Sequence, residues 1–247
     1  MRHTNKGFDL RLLAKFLASF AIVLPLTLSA VDTDDANLEI VTRYLDATRT
    51  QQEALRGVQM QVDIDAKLPR LEKQGKLIAL RTISKLGQIT DRLLGFQGDN
   101  TIKNEVITRY LQAEKDARDT GDIAITPANY KFRRKGSLEQ NGQRIEIFQI
   151  TPKKKKVGLF KGDLWLDAKT GMPVRESGQL VKTPSVMLKK VEFVREYEIR
   201  DGVSIPKHIE SKADVRLVGR AELNINFTNF IKQQSADEQA DAAAVSH

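Results

Sequence analysis

The chain has 247 residues, with 40 Lys and Arg against 32 Asp and Glu, and it contains no cysteine. The missing thiols exclude a disulfide framework, thiolate metal ligation and a lipidated N-terminal Cys. The net charge of +8 falls to +5 (36 basic, 31 acidic) once the first thirty residues are set aside, because these hold Arg2, Lys6, Arg11 and Lys15 against Asp9 alone. So small an excess is a weak signature of a nucleic-acid partner, and an anionic membrane surface fits it equally.

Met1 to Lys15 is basic, and Phe16 to Leu28 is an apolar run of 13 residues. That run is short of the ~20 residues that span a bilayer as a helix. Ser29-Ala30 then offers small residues before an acidic stretch. These three parts predict a secretory signal cleaved near Ala30, and so a periplasmic location; an uncleaved anchor is the alternative. No later segment is apolar and long enough to cross as a helix.

Helical spacing of Leu38, Val41 and Leu45 behind a capping Asp34 or Asp35 predicts a helix over 35–55, ended by Gly57. Val58 to Leu68 alternates apolar and polar residues, the mark of a strand with one buried face, and Pro69 stops it. Strands over 77–83 and 88–94 follow. A second amphipathic helix is predicted over 101–118, with Ile102, Val106, Tyr110, Ala113 and Leu111 as its stripe and Gly121 just past its end. From Tyr130 onward only strands are predicted: 130–138, 144–150, 157–166, 172–181, 186–199, 203–213 and 213–230. Their separators are Asn141-Gly142, Lys161-Gly162, Thr170-Gly171, Thr183-Pro184 and Asp201-Gly202. Ala213 to Phe227 is apolar at every odd position and reads as one long strand with a bend at Gly219. Residues 233–247 read as a flexible tail. The expected organisation is a signal (1–30), one domain (31–232) and that tail.

Motifs for chemistry are sparse. His208 is the only His outside the termini and has no evident partner for catalysis or metal binding. Asp63 and Asp65 share the polar face of one strand, about 7 Å apart, where solvated carboxylates are the ordinary finding. There is no phosphate-binding Gly loop, no nucleophile elbow and no clustered metal spacing, so no catalytic residue, metal or cofactor is assigned. Lys153 to Lys156 is the densest charge run and suits either contact with an anionic surface or a solvated hairpin tip. Trp165, the single Trp, suits a ligand cavity or a core.

From Asn129 to Phe230 the succession IEIFQITPKKK, GDLWLDAKTGMPVRE, EYEIRDGVSIPKHIES and VGRAELNINF resembles the exported bacterial outer-membrane lipoprotein-sorting proteins of LolA/LolB-like fold. The resemblance implies a mainly β, α+β architecture: a strongly curved antiparallel sheet, an incomplete barrel with helices as a lid. It implies a soluble periplasmic carrier that shelters lipid or lipoprotein acyl chains between sheet and helices and is not an enzyme. The alternative is an envelope regulatory or scaffold module that binds a partner protein with the same fold. Candidate lining residues are Met60, Val62, Ile64, Trp165, Met187, Val191, Phe193, Leu217, Leu223 and Ile225. Leu38, Val41, Leu45, Val106 and Tyr110 are the candidate lid, and Lys153, Lys154, Lys155 and Lys156 the candidate contact with an anionic surface.

Overall fold

The computed structural model describes residues 33–119 and 123–232. The predicted signal, its cleavage point, Gly121 and the C-terminal tail lie outside them. Helix α1 (Thr33–Ala54) is followed by strands β1 (Val58–Leu68), β2 (Lys73–Ile83) and β3 (Ile89–Gly98). A π-helical segment (Ile102–Ile107) then runs into helix α2 (Thr108–Asp119). The remaining strands are β4 (Tyr130–Gln140), β5 (Gln143–Pro152), β6 (Phe160–Asp167), β7 (Pro173–Leu180), β8 (Leu188–Arg200), β9 (Val203–Val215) and β10 (Gly219–Lys232).

All ten strands form one antiparallel sheet in the order β3-β2-β1-β10-β9-β8-β7-β6-β5-β4, open at β3 and β4. The fold is the curved, unclosed α+β arrangement expected from the sequence. The Asn141-Gly142 and Asp201-Gly202 turns have positive φ at both residues, as two-residue hairpins require. Gly162 is not a turn residue: it sits within β6 opposite Gly178 of β7, where a Cβ would meet the Ser177 carbonyl oxygen. The turn lies earlier, before Phe160. Paired glycines let the two backbones approach where the sheet bends.

The predicted single strand over 213–227 is two strands. Val215 pairs with Gly219 and Ala213 with Ala221, so Arg216, Leu217 and Val218 form a hairpin turn. A three-residue loop preserves parity: odd residues pair with odd residues and share one face. The alternation therefore passes through the turn without a break, and periodicity alone cannot reveal it.

Helices pack on one face of the sheet, its inner face, over two separate apolar clusters. Ile40, Val41 and Tyr44 of α1 close over Phe148, Ile150, Leu164, Leu166 and their neighbours in the β4–β8 half. Ile102 and Ile107 close over Met60, Val62, Ile64, Leu77, Leu223 and Ile225 in the β1, β2 and β10 half.

Candidate functional site

Cross-strand register places one row of inner-face residues across nine strands. From β5 to β3 it reads Phe148, Leu164, Glu176, Arg195, Ile209, Ile225, Ile64, Leu77 and Phe96. The row is apolar at both ends and ionic in the middle. Glu176 is buried and accepts a hydrogen bond from Arg195 Nη1 at 3.2 Å. Tyr197, two residues on and so on the same face, also hydrogen-bonds Glu176. Burial, and then the Glu176 charge, push the Tyr197 hydroxyl far above its ordinary value, so it stays a neutral donor. The Arg195 guanidinium lies 4.6 Å from the Phe193 ring centre.

One tyrosine from each helix contributes to the electrostatics of this polar centre. Tyr44 of α1 bears electrostatically on Tyr197, and Tyr110 of α2 on Arg195. The Tyr130 hydroxyl accepts the Phe160 N–H beside them, and burial raises its pKa.

The second helix is held to the sheet in two ways. The first is its π-helical start. Thr108 N–H bonds the Lys103 carbonyl, five residues back, and both Ile102 and Ile107 are fully buried. An α-helical stripe from Ile102 runs to Val106; the wider π turn brings position i+5 onto the same face, so Ile107 joins the core and Val106 is only partly buried. Sequence periodicity at 3.6 missed Ile107 for this reason. The second is Arg81. Its guanidinium gives Nε and Nη2 to Asp91 of β3 (2.7 and 3.0 Å) and Nη1 and Nη2 to Glu114 of α2 (3.0 Å each). Burial disfavours the charge, but the Asp91 and Glu114 contacts outweigh it and hold the guanidinium above its ordinary value. At the helix start, Asp99 accepts the Thr101 N–H at 2.7 Å and pairs with Lys73. These contacts hold its carboxyl below the usual value.

The π segment yields a test. Deleting Asn104, exposed on that segment, removes the extra residue and leaves Thr108 onward in phase, with the Arg81–Glu114 bridge intact. Deleting Gln112, in the regular α segment, rotates Glu114 by about 100° away from Arg81. A urea midpoint at or above that of the parent is expected for the first deletion and a lower one for the second. Equal losses for both would show that the π turn has no special role.

Most predicted lining residues fall on the inner face. Met60, Val62, Ile64, Leu223 and Ile225 lie under the second helix, Phe193 under the first, and Val191 is half-buried between them. Three fall elsewhere. Trp165 lies between the buried Leu164 and Leu166, so it points to the outer face, where Arg175 stacks 5.0 Å from its ring centre. Leu217 is in the β9–β10 turn and Met187 in the loop before β8, both exposed. Of the lid set, Val41 is buried and Leu45, Val106 and Tyr110 are partly buried. Leu38 instead is exposed on the outside of α1. Lys153, Lys154 and Lys155 are exposed, with Lys153 Nζ donating to the Pro127 carbonyl at 2.5 Å, and Lys156 is partly buried. His208, Asn226 and Asp63 form a row on the outer face, with His208 Nδ1 2.8 Å from Asn226 Oδ1. No group of three or more His, Asp or Glu suited to a metal ion occurs among the described residues.

No protein-family model matches the sequence, and no curated protein matches it. Solved structures do. One is a LolA superfamily protein from Nitrosomonas europaea, at 11% identity over 80% of this chain and 96% of that one, with a TM-score of 0.38. Another is a domain assigned to the outer membrane lipoprotein-sorting proteins from Vibrio parahaemolyticus, at 14% identity over 85% and 98%, TM-score 0.41. The likeness is to LolA-type proteins, and it is one of fold. A DUF1329 family protein from Desulfovibrio piger matches at 14% identity over 78% and 93%, TM-score 0.41.

Proposed function

We propose that the protein is a non-covalent binder of amphiphiles with acyl chains, acting in the cell envelope as a lipid or lipoprotein carrier. The observation that carries this reading is the inner-face row. It is a polar centre, Glu176–Arg195–Tyr197, flanked by two apolar wings, each covered by its own helix. That is the polarity pattern of a headgroup with chains. In this reading residues 31–232 act as one unit after export, with 233–247 as a tail.

Ile102 and Ile107 occupy the wing under the second helix, so a chain must displace them. Two isoleucines contribute about 3–6 kcal/mol of burial. A sixteen-carbon chain contributes about 12 kcal/mol at ~0.8 kcal/mol per CH₂. The chain wins that exchange with enough left to break the Arg81 bridge, and release follows when the helix closes again. Protein purified without detergent and extracted into organic solvent is expected to yield a diacyl lipid or lipoprotein acyl chains by mass spectrometry. A clean extract, together with no uptake of a pyrene-labelled phospholipid, would sink the proposal.

A second reading is partner binding at the β3 edge. There Leu93 and Leu94 stand exposed on an edge strand, whereas the β4 edge carries Lys131, Arg133 and Lys135 and a bulge between Arg134 and Gly136. A stoichiometric envelope protein on the bait, lost on Leu93→Lys, would favour it.

A further inference from the structure

Four connections lie at one end of the sheet: residues 69–72 (β1–β2), 153–159 (β5–β6), 181–187 (β7–β8) and 216–218 (β9–β10). Each presents an exposed large apolar side chain and carries a basic residue: Leu71 with Arg70, Val157 with the Lys153–Lys156 run, Val186 and Met187 on the loop that also holds Lys182, and Leu217 with Arg216. Within these four loops the one acid is Glu72, and Asp99, in the connection that follows β3 at the same end, is paired with Lys73. Val186 and Leu217 are 86% and 85% exposed.

The loops form a continuous rim. Arg216 N–H bonds the Met187 carbonyl at 2.8 Å, and Arg216 Nε bonds the Val186 carbonyl at 2.9 Å. A Cβ at Gly219 would lie 3.2 Å from Arg70 Cδ, so the β1–β2 turn abuts the β9–β10 turn. Val181 N–H bonds the Leu159 carbonyl at 3.0 Å, which joins the loops on the far side. Leu217 has a φ of +72°, a conformation that favours Gly or Asn, yet it holds a large apolar side chain in water. Neither local folding nor core packing accounts for that choice.

We propose that this rim docks on an anionic lipid bilayer, with Leu217, Val186, Met187, Leu71 and Val157 entering the interface and the neighbouring Lys and Arg on the headgroups. A bilayer suits the pattern because the exposed apolar side chains sit on four separate loops, and every one of those loops also carries a cation. The opposite end of the sheet exposes Leu86 in its turns, with Lys85, Lys169 and Arg56 spread over three separate connections. The rim proposal stands apart from the interior site, since none of its residues belongs to the inner-face row.

The test uses the full chain carrying Trp165→Phe, with a single Trp placed by Leu217→Trp, Val186→Trp or, at the opposite end, Leu86→Trp. Vesicles contain phosphatidylglycerol and phosphatidylethanolamine with brominated acyl chains. Emission from the first two probes is expected to shift to the blue and be quenched, and that from Leu86→Trp to stay as in water. Quenching at position 86 equal to that at 217, no quenching at any position, or equal partition into neutral phosphatidylcholine vesicles would overturn the proposal. Leu217→Asn is expected to weaken vesicle partition roughly tenfold while leaving Tm unchanged or raised, because Asn accepts the backbone conformation. Unchanged partition of that variant also overturns it.

Discussion

Arg81→Leu is expected to destabilise the protein by about 3–5 kcal/mol, the cost of removing one side of a buried ionic network. Arg81 is 6% exposed and makes four charge-assisted hydrogen bonds to two carboxylates. Without it Asp91 and Glu114 face each other, partly buried and without their shared cation. The loss should not be uniform. Helix α2 is expected to lose amide protection first, because the sheet keeps its ladder while the helix loses its ionic tie to β2. Arg81→Lys should recover little, since an ammonium cannot fork to two carboxylates at once. Hydrogen exchange read by mass spectrometry, beside urea midpoints, separates the two effects. If α2 keeps its protection in Arg81→Leu, the guanidinium is not what holds the helix down. Under the carrier reading the same variant takes up labelled lipid faster than the parent, because the gate is already loose.

Sheet and helices were legible in the sequence because their signals are periodic. Val58 to Leu68 alternates over its full length and forms a strand with those bounds. Periodicity failed where structure depends on an exception to it. Parity carried the 213–227 pattern through a three-residue turn, so a hairpin read as a strand and Leu217 as a wall residue. A π turn moved the buried position from i+4 to i+5, so Ile107 was missed. Trp165 was placed in a cavity by residue type, although its neighbours Leu164 and Leu166 already claimed the inner face.

The polar residues at the site left a sequence signal of another kind. Arg81 stands in phase with Leu77, Ala79 and Ile83, and Arg195 in phase with Val191, Phe193 and Tyr197. A charge on the apolar phase of a strand is costly unless it is paired. Each of these two arginines therefore implied a carboxylate partner. Which carboxylate could not be read from the sequence: Glu114 comes from a helix 33 residues further on, and Glu176 from the register of a neighbouring strand.

The Glu176–Arg195 pair separates stability from function. Glu176→Leu leaves Arg195 without its counter-ion and the Tyr197 hydroxyl without its acceptor, in the middle of an otherwise apolar row. Arg195 is 41% exposed along its side chain, so water screens part of the loss. A cost of about 2–3 kcal/mol is expected, at or below the lower end of the range for breaking a fully buried pair. Adding Arg195→Leu removes the orphaned charge and should restore most of that loss, because an apolar pair of similar volume replaces an ion pair at little net cost. The double variant then presents an unbroken apolar row from Phe148 to Phe96. If the pair serves only to pack the sheet, this protein binds acyl chains as well as the parent does. If the pair anchors a headgroup, the double variant folds normally but loses discrimination, taking up a plain hydrocarbon as readily as a phospholipid. Thermal midpoints and competition between a labelled phospholipid and a long-chain alkane distinguish these outcomes. Retained preference for the phospholipid would remove Glu176–Arg195 as the anchor and leave the two apolar wings as the whole site.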